Sequence, residues 1–196
     1  MKTKFKDFRT FQFKTRTFQA RKFNLHSCNT LLGDLKMYAN RIDISISVRE
    51  KVIPHLQSRL SDSVDLFTQI KQAHWNVKGP SFIALHQLFD EVADIVEEYS
   101  DLIAERITSL GGRADGTARI AAMYSSLTEY PLDTIDGMVH LSAVADKLTS
   151  FGKAVRADIE SSAKLGDADT ADLFTEISRV IDKQLWLVEA HLQSAH

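Results

Sequence analysis

The stretch Ser81-Phe-Ile-Ala-Leu85-His-Gln-Leu-Phe-Asp90-Glu-Val-Ala-Asp-Ile95-Val-Glu-Glu-Tyr-Ser100-Asp-Leu-Ile-Ala-Glu105-Arg-Ile-Thr-Ser-Leu110 is closed by Gly111-Gly112. Its apolar residues Leu85, Leu88, Phe89, Val92, Ile95, Val96, Tyr99, Leu102 and Ile103 recur in steps of three and four. That is the period of one long amphipathic helix, and the glycine pair stops it. The same period runs upstream through Leu56, Leu60, Val64, Phe67 and Ile70 to a stop at Gly79-Pro80. Ser47-Val-Arg-Glu50 has capping-box spacing and predicts the start of that helix. Pro54 either kinks this run or marks its true first turn.

Downstream, residues 113–136 contain Tyr130-Pro131 and a predicted short helix. The segment is too long for an antiparallel hairpin and predicts a crossover. A third long helix is expected over about 136–165, followed by a break and recapping at Gly166 and Asp167-Ala-Asp-Thr170. A fourth, about 169–192, carries Leu173, Ile177, Ile181, Leu185 and Val188. Four long helices with one long crossover between the second and third describe an all-α, ferritin-like four-helix bundle.

Composition agrees. Of 196 residues, 44% are apolar, enough for a core, while 8 Gly and 3 Pro are too few for the frequent turns of sandwiches, barrels or propellers. The lone Cys28 excludes an internal disulfide or a multi-cysteine metal site in one chain. No run approaches the ~18 apolar residues of a membrane-spanning helix.

Charge divides the chain. Residues 1–37 hold nine of the 24 bases and two of the 26 acids, a net of +7, and the remaining fifteen bases and twenty-four acids give −9. Six of the eleven phenylalanines lie within the first 23 residues: Phe5, Phe8, Phe11, Phe13, Phe18 and Phe23. They hold neither helical nor strand period, so residues 1–37 are expected to be a flexible extension of a domain spanning 38–196. Three readings stay open: a nucleic-acid arm pairing phosphates and stacking bases, an organelle-targeting segment, or an extension without function. Met37 is also a candidate start.

The bundle type often binds iron through two Glu-x-x-His pairs, and this sequence has none. The second helix instead shows His86-x-x-x-Asp90 and Asp101-x-x-x-Glu105. These four positions fall at about 0°, 40°, 60° and 100° around the helix, on one stripe. From His86 to Glu105 is ~28 Å along the axis, whereas ligands lie only ~2 Å from a metal. One chain cannot close both pairs on one ion. Two antiparallel copies, related by a two-fold axis between residues 95 and 96, bring the first pair of one chain to the second pair of the other. Imidazole and carboxylates without thiolate favour iron or a similar divalent metal. The competing reading of the same residues is the solvated face of a long helix, with His86 a surface histidine.

Lys71-Gln-Ala-His74-Trp-Asn-Val-Lys-Gly-Pro-Ser-Phe-Ile-Ala-Leu-His86-Gln-Leu-Phe-Asp90, continuing to Asp101-Leu-Ile-Ala-Glu105-Arg106, closely resembles the Dps family, the DNA-protecting miniferritins of starved bacteria. The likeness extends over about 42–192, through Tyr130-Pro-Leu-Asp133, Asp169-Thr-Ala-Asp172 and the Trp186 region. It implies a hollow homododecamer with di-iron sites at its dimer interfaces. His74, His86 and Asp90 would come from one subunit and Asp101 and Glu105 from its two-fold mate. It also implies a place near the iron for Trp75, whose other reading is a core aromatic. Asp146 resembles the acids that line the family's three-fold pores. No role is assigned to His26, Cys28, His55, His140, His191 or His196. No Gly-rich phosphate loop or Ser/His/Asp signature is present.

The activity so implied is that of a ferroxidase. It oxidises Fe(II) to Fe(III) with hydrogen peroxide or oxygen, stores ferric mineral in the shell and protects DNA, in the bacterial cytoplasm and associated with the nucleoid. No organic cofactor or membrane partner is expected. The alternatives are a structural DNA-binding protein acting through the basic arm, and a helical bundle without catalysis.

Overall fold

The computed structural model describes residues 37–193. The expectations for the arm, its residues His26 and Cys28, and His196 fall outside them. Five helices follow in order: α1 (Ile46–Asn76), α2 (Phe82–Ser109), α3 (Ala118–Tyr124), α4 (Gly137–Leu165) and α5 (Ala168–Glu189). Helices α1 and α2 pack as one hairpin, α4 and α5 as another, α1 joins the two through α4, and α3 lies against α1. Among the described residues there is no strand, only an isolated bridge between Lys78 and Asp136. No described helix is long and apolar enough to cross a membrane.

The core follows the period read from the sequence. Leu56, Leu60 and Ile70 of α1, Phe89, Val92, Val96 and Ile103 of α2, and Ile177, Ile181 and Val188 of α5 are buried. Phe89, Phe151 and Phe174 are fully enclosed, each contributing roughly 1.5–3 kcal/mol through lost contact with water.

Helix ends correct the sequence reading in three places. α1 is capped by Ser45, whose Oγ accepts from Val48 N at 3.3 Å, and not by Ser47. Arg49, buried in the first turn, donates to Asn40 Oδ1 at 2.9 Å and to the Leu110 carbonyl at 3.3 Å, which fixes the helix start earlier. Pro54 lies inside α1 and does not begin it. α1 ends at Asn76, short of Gly79-Pro80, because Lys78 N donates to Ile135 O at 3.0 Å and has left the helical ladder. α5 ends at Glu189, before Leu192.

Other ends match. Asp136 caps α4, its Oδ1 accepting from Met138 N at 2.9 Å and Val139 N at 3.2 Å. Gly166 ends α4 in the left-handed region at φ +90°, where a side chain would be strained. Asp167 then caps α5 and also receives Arg106 of α2 at 2.8 Å.

The crossover is pinned to α1 along its length. Gln57 exchanges two hydrogen bonds with the Asp115 backbone, and Gln69 donates to Thr128 O at 3.1 Å. Between them, buried Asp62 accepts from Ser126 N at 2.6 Å and Oγ at 3.0 Å and pairs with Arg59 at 3.1 Å. Burial raises the Asp62 pKa although Arg59 opposes it. Arg59 also faces Asp158 of α4 at 3.3 Å, and His55 pairs with the same carboxylate at 2.8 Å. A charged chain thus ties α1, the crossover and α4 together.

Candidate metal centre

The turn between α1 and α2 is short, so it folds the last turn of α1 against the first turns of α2. His74 and His86 meet there, their rings stacked at 3.8 Å between centroids and 20° between planes. Each imidazole bonds to the other residue's backbone: His74 Nδ1 lies 2.7 Å from the His86 carbonyl, and His86 Nδ1 lies 2.9 Å from the His74 carbonyl. A carbonyl only accepts, so both Nδ1 atoms carry protons. In its neutral form each ring so held keeps its lone pair on Nε2, the tautomer that a metal-binding histidine requires. His74 is buried, and Phe82 leans on His86 at 5.1 Å.

Asp90, one turn beyond His86, is half-exposed and accepts from the Lys71 ammonium. His74 Nδ1 is 3.7 Å away. The Lys71 hydrogen bond, with smaller help from the two histidines, holds the Asp90 carboxyl below its ordinary range. Lys71 was part of the motif but was not singled out as functional. Its place one turn before His74 was the available signal.

Asp101 and Glu105 are exposed farther along α2. The helix is continuous from Phe82 to Ser109, so they stand ~16 to 28 Å along the axis from the Asp90–His86 end. Among the described residues of one chain, no three His, Cys, Asp or Glu side chains gather into a metal-holding group. Within one chain the structure pairs His74 with His86, sets Asp90 3.7 Å from His74, and leaves Asp101 and Glu105 apart from them. Asp101 forms part of an open groove of about 450 Å³ whose other walls include Leu60, Val64, Phe67 and Ala104.

Trp75 is 66% exposed and is not a core aromatic of the single chain. Phe82 and Ile83, at the start of α2 ahead of His86, are exposed as well. Asp146 is exposed on α4. His55 and His140 are held by Asp158 and Tyr130, and exposed His191 bonds to the Leu187 carbonyl at 2.9 Å.

The ferritin-like domain model matches residues 53–195. The DNA protection during starvation protein of Agrobacterium fabrum is 38% identical over 159 residues, covering 81% of this chain and 98% of that one. The fine tangled pili major subunit of Haemophilus ducreyi is 30% identical over 185 residues, covering 93% and 97%. Among solved structures, DpsA14 from Streptomyces coelicolor superposes with a TM-score of 0.77 at 34% identity, covering 83% of this chain and 96% of that one.

Proposed function

Because the chain belongs to the ferritin-like domain family, and within it to the Dps proteins, we infer that it oxidises Fe(II) and stores the ferric product inside a shell of twelve copies. The observation that carries this reading is the stacked pair His74 and His86, each ring held by the other's carbonyl so that Nε2 stays free to bind. Asp90 lies beside the pair, and Asp101 and Glu105 of the partner subunit complete the site when two α2 helices pack antiparallel. The surfaces suit this pairing. Exposed apolar Trp75, Phe82 and Ile83 neighbour the histidines in sequence, and the groove of Leu60, Val64, Phe67 and Ala104 adjoins Asp101 in the other half. Burying one against the other is favourable in both halves of the dimer.

Iron is substrate here. The imidazoles admit Fe(II), and the hard carboxylate oxygens stabilise Fe(III) more strongly, which pulls the couple toward oxidation. Two Fe(II), one hydrogen peroxide and two protons yield two Fe(III) and two waters, and no hydroxyl radical is released. The −9 of residues 38–196 attracts cations toward the shell. In this reading the protein works in the cytoplasm beside the nucleoid.

DNA contact belongs to residues 1–37, whose +7 would be multiplied twelvefold on the shell. Binding by phosphate neutralisation weakens steeply between about 50 and 200 mM salt. A chain lacking 1–36 should fail to shift DNA in a gel at either salt; shifting that survives the deletion would move the contact to the body.

Anaerobic Fe(II) loading followed by peroxide tests the main reading. Ferric absorbance should rise at once in the full chain, and His86→Ala should lose most of it. A flat trace from the full chain would leave an assembly subunit without catalysis, the class suggested by the pilus-named relative.

A further inference from the structure

Helix α4 opens on Gly137, directly after its cap Asp136. Glycine is the poorest helix former after proline, so a first helical residue of this kind needs a reason. Backbone geometry does not supply one, since among the described glycines only Gly79, Gly111 and Gly166 hold a positive φ. Space does. A Cβ on Gly137 would stand 2.6 Å from Leu85 Cδ1, 3.8 Å from Val77 Cγ2 and 4.0 Å from the Lys78 carbonyl oxygen. Carbon atoms settle at about 3.5–4.0 Å, so a methyl group here has to displace something by about 1 Å.

The neighbours it would displace belong to the turn that pairs the histidines. Leu85 immediately precedes His86, and Val77 follows His74 by three residues. Both are buried, Leu85 at 3% and Val77 at 1% exposure, so the Leu85 side chain has no solvent-filled space to swing into. The other way out is for the start of α4 to withdraw. There Lys78 N donates to Ile135 O at 3.0 Å, and Lys78 and Asp136 form a parallel bridge, so withdrawal pulls on the same turn. The histidine pair tolerates little of either movement. His74 and His86 hold each other's carbonyls at Nδ1 distances of 2.7 and 2.9 Å. A relative shift of about 1 Å carries both contacts beyond hydrogen-bond length.

We propose that Gly137 is a positioning residue for the histidine half of the iron site: the side chain it lacks leaves the space in which Leu85 rests, and this contact holds His86 against His74. Its consequence at the metal rests on the iron-oxidation reading, since the bonds it preserves are those that keep Nε2 free. Gly137 acts through Leu85 and the turn, not on iron directly. Helix propensity alone predicts the opposite, because alanine in place of glycine in a helix is ordinarily neutral or stabilising. Groups that orient ligands from outside typically account for about 10–100-fold in metal affinity, so Gly137→Ala should weaken anaerobic Fe(II) binding by about tenfold or more. Leu85→Val removes the carbon that stands in the way. In Gly137→Ala/Leu85→Val one methylene has crossed the contact with the volume kept, and binding should return.

The test reads the imidazoles first, without metal. Nuclear magnetic resonance of the full chain carrying isotope-labelled histidine should show the Nδ1 protons of His74 and His86 protected from exchange with water, assigned by their loss in His74→Gln and His86→Gln. Gly137→Ala should lose that protection with its circular dichroism unchanged, and Gly137→Ala/Leu85→Val should regain it. Anaerobic Fe(II) titration of the same three proteins should follow the same order. Protection unchanged in folded Gly137→Ala, or lost there and not regained in the double variant, overturns the proposal. So does protection that is lost and regained while Fe(II) affinity stays the same. Where Gly137→Ala fails to fold, the double variant decides: protected Nδ1 protons support the assignment, and their loss or a failure to fold overturns it. A full chain that takes up no Fe(II) defeats the iron reading instead, and the imidazole signals alone then judge Gly137.

Discussion

The Lys71 ammonium bonded to Asp90 bears directly on iron loading, because the carboxylate must exchange one cation for another when Fe(II) arrives. Lys71 is the largest cause of the lowered Asp90 pKa. The folded value lies below the ordinary 3.8, so the stabilisation from this pairing is present above the unfolded value and is lost as pH falls through the folded one. Lys71→Met should move the Asp90 titration up toward the ordinary carboxylate range, read from its carboxyl-carbon shift against pH. The same variant should bind Fe(II) more tightly at neutral pH under anaerobic titration, since no ammonium then has to be displaced. An Asp90 titration that stays where it was would mean that the neighbouring histidines, and not Lys71, hold the carboxyl down.

At the scale of elements, the start of α4 does two things at once. Asp136 caps the helix, and the adjoining Ile135 carbonyl holds Lys78 in the turn that sets His74 against His86. Asp136→Ala should cost about 1 kcal/mol of folding stability, read by urea denaturation. The helices themselves were legible because apolar periods and Gly-Pro or Gly-Gly stops are local signals, and Ser81, Asp136 and Gly166 stand where such signals place them. The α1 cap was not legible. Ser45 and Ser47 are chemically alike, and the choice was made by Arg49 reaching Leu110, sixty-one residues away. The Arg59–Asp62–Asp158 chain and the Tyr130–His140 pair escaped for the same reason, since their partners share no local pattern. Of the site, spacing alone identified the face of α2 and the need for a second copy. His74 sits on another helix, so only the family likeness supplied it, and the reciprocal carbonyl bonds became visible only once the hairpin was folded.

At the scale of the whole molecule, sharing a site between copies makes the two halves separable. A chain with His86→Ala spoils only its own histidine end, and one with Asp101→Ala only its carboxylate end. In a mixed dimer both lesions fall in one site and the other is intact. Each variant alone should lose most ferroxidase activity, and the mixed dimer should recover about half of the unmodified dimer's activity. Mixed dimers as inactive as either parent would rule out a site built across the two-fold. The junction where residues 1–37 meet the body has a consequence of a different kind. Tyr38 N donates to Gly111 O at 2.8 Å and the Asn40 amide to Ser109 O at 2.8 Å, laying this segment across the end of α2. Gly111 holds φ +89°, and a Cβ there would stand 2.4 Å from the Tyr38 carbonyl oxygen. Gly111→Ala should therefore lift the segment away and turn the exposed Arg41 into a trypsin cleavage point. Digestion of the folded variant would then yield a body that begins at Ile42, read by mass spectrometry, while the unmodified protein resists cleavage at the Arg41–Ile42 bond.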